Sequence, residues 1–300
     1  LGIGSAVPGH LAADALRSSL SIPPLVTALI LAVAAAAAVL GGIRALGRTA
    51  GALVPVLVTA YLLIGVVVIL LNGHRVDDVL VEIGRGAITM GAAAGGLVGA
   101  ATREAVRWGV SQGVFSSGTG LGTGGIAAAS ARTRTPTTQA LVAMSQTFID
   151  TVVVSAITGL AVLVTGLHEG IDAATGATFA GSGLTTAAVR SGLPTGVGGA
   201  IVAVGLAFFA YTSILAWAYY GERSAEYLFG TRATIPFRAL FLAAVLSGGA
   251  ALQLGLVDGL AVLWGVSEVA SGVMIVPNVV GLLLLSGVLV RETDRSRETR

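Results

Sequence analysis

Cysteine is absent from this 300-residue sequence, and so is lysine. Without cysteine, neither a disulfide framework nor a thiolate metal site can form. Histidine occurs three times, at His10, His74 and His168, which read as scattered among loops or flanks without metal-ligand spacing. Asp150 has no obvious nucleophile and base beside it, so an enzyme is not expected. Charge is also scarce, at 11% of residues and a net charge of +2, too little to argue for a nucleic-acid partner. The opening "LGIGSAVPGHLAADALRSSL" has no initiator methionine and no basic region leading into an apolar signal core. A cleaved signal peptide is therefore not expected, and the chain reads as a fragment.

What the sequence has instead is apolar residues, 55% of the total, with a mean hydropathy of +0.91. Those values lie outside the range of ordinary soluble domains. A bilayer core of ~30 Å needs about 20 mostly apolar residues per helix. Candidate spans cover 22–43, 51–72, 141–166, 198–220 and 237–257, with a long tract, continuous or broken, over 260–290. Residues 87–131 form a further apolar region interrupted by glycine and arginine. No separable soluble domain is visible, so 1–300 reads as one transmembrane domain of an all-α integral membrane protein.

Arginine sets the expected orientation. If successive spans alternate in direction, one set of loops carries Arg44, Arg48, Arg132, Arg134, Arg223, Arg232, Arg238, Arg291, Arg295, Arg297 and Arg300. The opposite set carries Arg17, Arg75, Arg85 and Arg190. Arginine-rich short loops stay in the cytoplasm, which places the tail 291–300 inside. The alternation requires 87–131 to cross an odd number of times, with Arg103 and Arg107 facing water or Glu104.

The stretch "FSSGTGLGTGGIAAAS" over 115–130 contains Gly118, Gly120, Gly122, Gly124 and Gly125. Each glycine in a helix interior costs about 1 kcal/mol relative to alanine, so together they should open the helix. Backbone freed at membrane depth must be buried or line a cavity, and transporters use such breaks to bind solutes and ions. The half-helix beginning near Ile126 would present a positive end, and the half ending near Phe115 a negative one. Close helix packing through small residues is the competing explanation. A dinucleotide loop is set aside, because no strand precedes the glycines.

Two further stretches carry polar residues. In "SQTFIDTVVVSAITG", Thr147, Thr151, Ser155 and Thr158 recur at helical spacing beside Gln146 and Asp150. A mid-span carboxylate is a functional candidate, although a structural hydrogen bond explains a lone Asp equally well. In "FFAYTSILAWAYYGERSAEYLFG", Thr212 and Ser213 could supply hard oxygen ligands to a cation, with Trp217 one turn on as a pocket wall. Bonding back to their own helix is the alternative for the hydroxyls. Tyr219 and Tyr220 read as interfacial aromatics.

Four ordered blocks, "AVRWGVSQGVFSSGTGLGTGG", "TFIDTVVVSAITG", "FAYTSILAWAYYGERSAEYLFG" and "SGVMIVPNVVGLLLLSGVLV", resemble the alanine or glycine:cation symporter family, also called sodium:alanine symporters. The resemblance covers essentially the whole chain. It implies a leucine-transporter-like inverted-repeat helix bundle, here truncated at the N-terminus to core helices four to ten. On that mapping residues 115–125 are the unwound centre of the sixth helix, and Asp150 and Thr151 lie on the seventh as coupling or structural polar groups. Thr212, Ser213 and Trp217 lie on the eighth, and Glu268 on the tenth. The implied substrate contacts are Ser116, Gly118, Gly120, Leu121, Ser213 and Trp217, with Thr212 and Ser213 near sodium. The sequence departs from the family pattern at Ser117, Gly118, Gly124 and Gly125, and at Glu268 and Ser271 where the family usually has Asp and Asn.

These readings lead to a secondary transporter of the plasma membrane that carries a small neutral amino acid, alanine or glycine, with Na+ as coupling ion and no cofactor. A proton-coupled transporter with Asp150 or Glu268 titrating is the nearer alternative. A non-transporting or decayed membrane protein is the more distant one.

Overall fold

The computed structural model describes residues 3–89, 103, 106–107, 109–111, 113, 118, 120–133, 135–170, 181–193 and 198–298. All regular structure among them is helical: α1 (Ala6–Leu20), α2 (Pro24–Leu40), α3 (Gly42–Leu71), α4 (Val76–Thr89), α5 (Thr123–Ala129), α6 (Pro136–Phe148), a π-helical turn (Ile149–Val154), α7 (Ser155–Thr165), α8 (Gly181–Gly192), α9 (Gly198–Phe229), α10 (Thr234–Gln253), α11 (Val257–Leu284) and α12 (Ser286–Glu298). Among the described residues, five stretches are long and apolar enough to cross a membrane: Ala45–Leu71, Pro136–Thr165, Gly199–Phe229, Thr231–Gln253 and Gly265–Leu284. The short α2 is apolar as well. The helix ends follow local chemistry. Pro24 and Pro136 start their helices where a missing N–H costs nothing, and the Thr135 hydroxyl caps α6 by accepting from the Thr138 N–H at 3.2 Å.

The chain divides into two compact units, residues 1–76 with 157–267, and 77–156 with 268–300. In the first unit, α1, α2, α9 and α10 share a core built on Ala12, Leu31, Ala35, Ile214, Leu215, Phe241 and Val245. Small residues let these helices approach closely. A Cβ on Gly248 would collide with the Ala6 carbonyl of α1, and one on Gly249 would meet Ala28 and the Pro24 carbonyl of α2. Helix α1 lies outside every span that hydropathy marked. His10, expected among loops or flanks, stands inside it at 8% exposure, with Nδ1 at 3.2 Å from the Gly248 carbonyl. Its 15 residues include Asp14 and Arg17, so it lacks the apolar length of a span, and its burial comes from tertiary neighbours.

Further ties fix the remaining helices of this unit. Tyr61 of α3 and Thr158 of α7 share a 2.7 Å hydrogen bond between their hydroxyls, where Gly65 admits Ile157 against the α3 backbone. Tyr61→Phe removes that bond alone and is expected to cost about 1 kcal/mol, read as a lower midpoint in thermal unfolding. Arg75 donates to the Val164 carbonyl at 3.0 Å and lies over Gly166, whose φ of +72° ends α7. Gly192 in α8 packs onto Val68 of α3.

Arg44 and Arg48, expected in a loop, stand in the first turns of α3, because only Gly41 separates it from α2. No proline falls within "RALGRTAGAL", and the helix runs on through Pro55 to Leu71. At the junction of α9 and α10, Glu222 accepts from Arg238 Nε at 2.7 Å and Nη2 at 3.0 Å, and from Arg223 Nη2 at 3.0 Å. Its side chain is 11% exposed and that of Arg238 is 25% exposed. Removing the acid by Glu222→Ala leaves a half-buried guanidinium without its fork of acceptors. We expect a loss of about 2–3 kcal/mol, toward the low side for a pair this exposed, measured against Arg238→Met/Glu222→Met, which removes both charges.

In the second unit, α4 carries Asp77, Asp78 and Glu82, all exposed, while Val79 is buried. Arg103 and Arg107 are helical and exposed, whereas Glu104 lies outside the described residues. Helix α12 lies against α6.

Candidate functional site

Three left-handed glycines create the most irregular backbone described. Gly118, Gly120 and Gly122 have φ of +65°, +89° and +83°, a region that costs an L-residue about 1–3 kcal/mol and glycine nothing. Residues 120–122 are turn and bend, and helix resumes at Thr123. On its C-terminal side the opening ends sooner than the composition suggested. Gly124 and Gly125 lie inside α5, and the positive end expected near Ile126 belongs instead to Thr123. Once three glycines have turned the chain, the next two tolerate helix well enough to close its first turn. Phe115, Ser116 and Ser117 lie outside the described residues, and with them the Ser116 substrate contact.

Inside this turn the Leu121 N–H donates to the Gly118 carbonyl at 3.2 Å. The Thr123 hydroxyl reaches the same carbonyl at 3.5 Å, a marginal bond. Leu121 and Thr123 are buried, at 4% and 5% exposure. Leu121, expected to meet substrate, thus has a buried side chain.

The Gly120 carbonyl accepts from the Asn278 side chain, Nδ2 to O 2.9 Å. A Cβ on Gly122 would lie 3.3 Å from Asn278 Oδ1, so the missing side chain lets the carboxamide in. Sequence pattern does not single out Asn278. Its signal was an amide within the apolar run "VMIVPNVVGLLLL", directly after Pro277.

Asp150 and Thr151 sit in the π-helical turn between α6 and α7, a feature often found at functional sites. Asp150 is half-buried and Thr151 exposed. The wider turn inserts an extra residue into the helix and breaks the 3.6-residue register. Thr147, Thr151, Ser155 and Thr158 therefore do not form the single stripe their spacing implied. Thr147 bonds back to the Ala143 carbonyl at 3.1 Å, Ser155 to that of Asp150 at 3.0 Å, and Thr158 turns to Tyr61. Glu268 is half-buried on α11, ten residues and about 15 Å of helix rise before Asn278.

The other candidates belong to the first unit. Ser213 and Trp217 fall one turn apart on one face of α9. Ser213 is exposed, whereas Thr212 donates to the Phe209 carbonyl at 2.8 Å in its own helix. Trp217 is half-buried. Its ring lies 3.3 Å from where a Gly4 Cβ would stand, and it meets Tyr220 edge-on at 6.3 Å between centroids. Glycine at position 4 thus seats the indole, and Tyr220, expected at an interface, braces it.

Comparison with known proteins gives these features a context. The model of the sodium:alanine symporter family matches residues 1–300. The chain is 40% identical over 301 residues to the sodium/alanine symporter AgcS of Methanococcus maripaludis, covering 100% of this chain and 62% of that protein. It is 31% identical over 285 residues to a sodium/proton-dependent alanine carrier protein of Bacillus sp. strain PS3, covering 91% of this chain and 61% of the carrier. It is 26% identical over 290 residues to the amino-acid carrier protein AlsT of Bacillus subtilis, covering 95% and 57%. The chain thus spans about three fifths of the length of these curated relatives.

Proposed function

Because this chain belongs to the sodium:alanine symporter family, a family of transporters rather than enzymes, we propose that the protein it forms carries a small neutral amino acid, alanine or glycine, across the plasma membrane together with sodium. The observation that carries the proposal is the break marked by Gly118, Gly120 and Gly122 in an apolar chain whose described residues include five helices long enough to cross a membrane. Such a break offers peptide dipoles to the charged ends of a zwitterion without adding side chains that would fill a small pocket. In this reading Gly118, Gly120 and Leu121 contribute backbone groups, and Ser116 also contacts substrate. Ser213 and Trp217 contact substrate, and the Thr212 and Ser213 hydroxyls serve sodium. Bound sodium raises affinity for the amino acid through its preference for the substrate-ready state, and the effect is reciprocal. The fold proposed is the leucine-transporter-like inverted repeat, with the C-terminal tail in the cytoplasm.

Uptake of labelled alanine and glycine by the full-length protein in vesicles tests the activity. Replacing sodium with choline is expected to lower uptake at least tenfold, and equal uptake in choline would remove the coupling. Ser213→Ala is expected to raise the sodium concentration for half-maximal uptake several-fold, because it deletes a hard oxygen ligand. A single cysteine at Asp294 is expected to react with an impermeant maleimide only from the cytoplasmic side. Proton coupling is the second reading, favoured by the relative named as a sodium/proton-dependent carrier and by the half-buried Asp150 and Glu268. Uptake that follows an imposed pH gradient without sodium selects it.

A further inference from the structure

We infer that Asn278 is a positioning residue that latches the open Gly118–Gly122 segment to α11 and thereby sets the direction of its peptide groups. Two backbone interruptions meet at this side chain. On one side, Gly120 and Gly122 have left the helix with positive φ, so the Gly120 carbonyl has no helical donor. On the other, Pro277 lies inside α11 and lacks the N–H that would close the helix onto Val273. An asparagine among apolar residues in a membrane helix must spend its amide on a partner. Asn278 spends one N–H on Gly120 at 2.9 Å.

The consequence is geometric. Fixing the Gly120 carbonyl fixes the plane of the Gly120–Leu121 peptide, hence the Leu121 N–H on its opposite edge, which reaches back to Gly118. One carboxamide thereby orients the Gly120–Leu121 peptide of a turn whose glycines have no side chains to hold them. Gly122 is part of the latch because it leaves room for Oδ1. Aspartate at 278 keeps the size but replaces the donor with an oxygen that repels the carbonyl. Leucine keeps approximate shape and removes both polar groups.

The effect of this latch on substrate rests on the proposed transport function, whereas the latch itself does not, so the experiment has two readouts. In the full-length protein, on a background without other cysteines, Leu121→Cys and Val245→Cys each report protection from a membrane-permeant maleimide. Both positions are buried, at 4% and 0% exposure. Asn278→Asp and Asn278→Leu are each expected to speed labelling at 121 at least tenfold and leave 245 protected. Each is also expected to raise the KM for alanine at least fivefold with the maximal rate within twofold. Unchanged labelling at 121 in either variant overturns the inference. So does equal loss of protection at 245, which would make Asn278 a general structural residue, and so does faster labelling at 121 with an unchanged KM. If the parent protein carries no neutral amino acid, the transport proposal falls, and the labelling comparison alone decides the latch.

Discussion

Valine in place of Gly122 is expected to lower sodium-driven alanine uptake by roughly 10- to 100-fold, with the amount of protein in the membrane nearly unchanged. Two costs combine. At a φ of +83° any L-residue is strained by about 1–3 kcal/mol, and a β-branched one lies at the top of that range. The new side chain also begins 3.3 Å from Asn278 Oδ1, where it must displace the carboxamide from Gly120. A helical or extended rearrangement relieves the strain only by abolishing the turn. Gly124→Ala is the control. Gly124 is helical, with nothing within 4 Å of its would-be Cβ, so alanine there is expected to keep uptake near the parent rate. Initial rates normalised to immunoblot signal read both variants. Uptake by Gly122→Val within twofold of the parent would show that the glycine run is mere packing.

The second large effect is on stability. Gly248→Leu is expected to destabilise the first unit by about 3 kcal/mol or more, at the upper end of overpacking costs. The Cβ alone collides with the Ala6 carbonyl and falls 2.9 Å from the His10 amide nitrogen, and both are backbone atoms that cannot swing aside. Helix α1 must then move off α10, exposing Ala12, Ala13 and His10, now buried. Loss of a monodisperse peak in detergent, or a markedly lower unfolding temperature, is the measurement. A variant as stable as the parent would mean that α1 does not depend on the close approach of Gly248 to Ala6 and His10. Gly205→Leu, on a helix face with nothing within 4 Å, is expected to be tolerated.

These two glycines also mark how far local pattern reaches. Both stand in apolar tracts of small residues, and both invite the same two explanations, a break or a close contact. Gly122 is the break and Gly248 the contact. Composition cannot separate them, because the difference lies in φ and in which backbone is opposite. Asp150 shows a related limit: four-residue spacing implied one polar stripe, but the π-helical turn at Ile149–Val154 shifts the register within it. Asn278 was hidden because a single amide has no pattern, and its role depends on Gly120, 158 positions away.

The apolar runs by themselves determined a helical membrane protein, because lipid lets backbone satisfy its hydrogen bonds in few ways, and the glycine run marked where the chain could leave helix. Four ordered motifs determined the family. Only the tertiary structure decided that His10 and a moderately polar opening segment form a buried helix, that five glycines open the helix over three and not over all, and that Asn278 closes on Gly120. Each of these depends on contacts between residues far apart in sequence, where burial and hydrogen bonding are set by the neighbour and not by the residue itself.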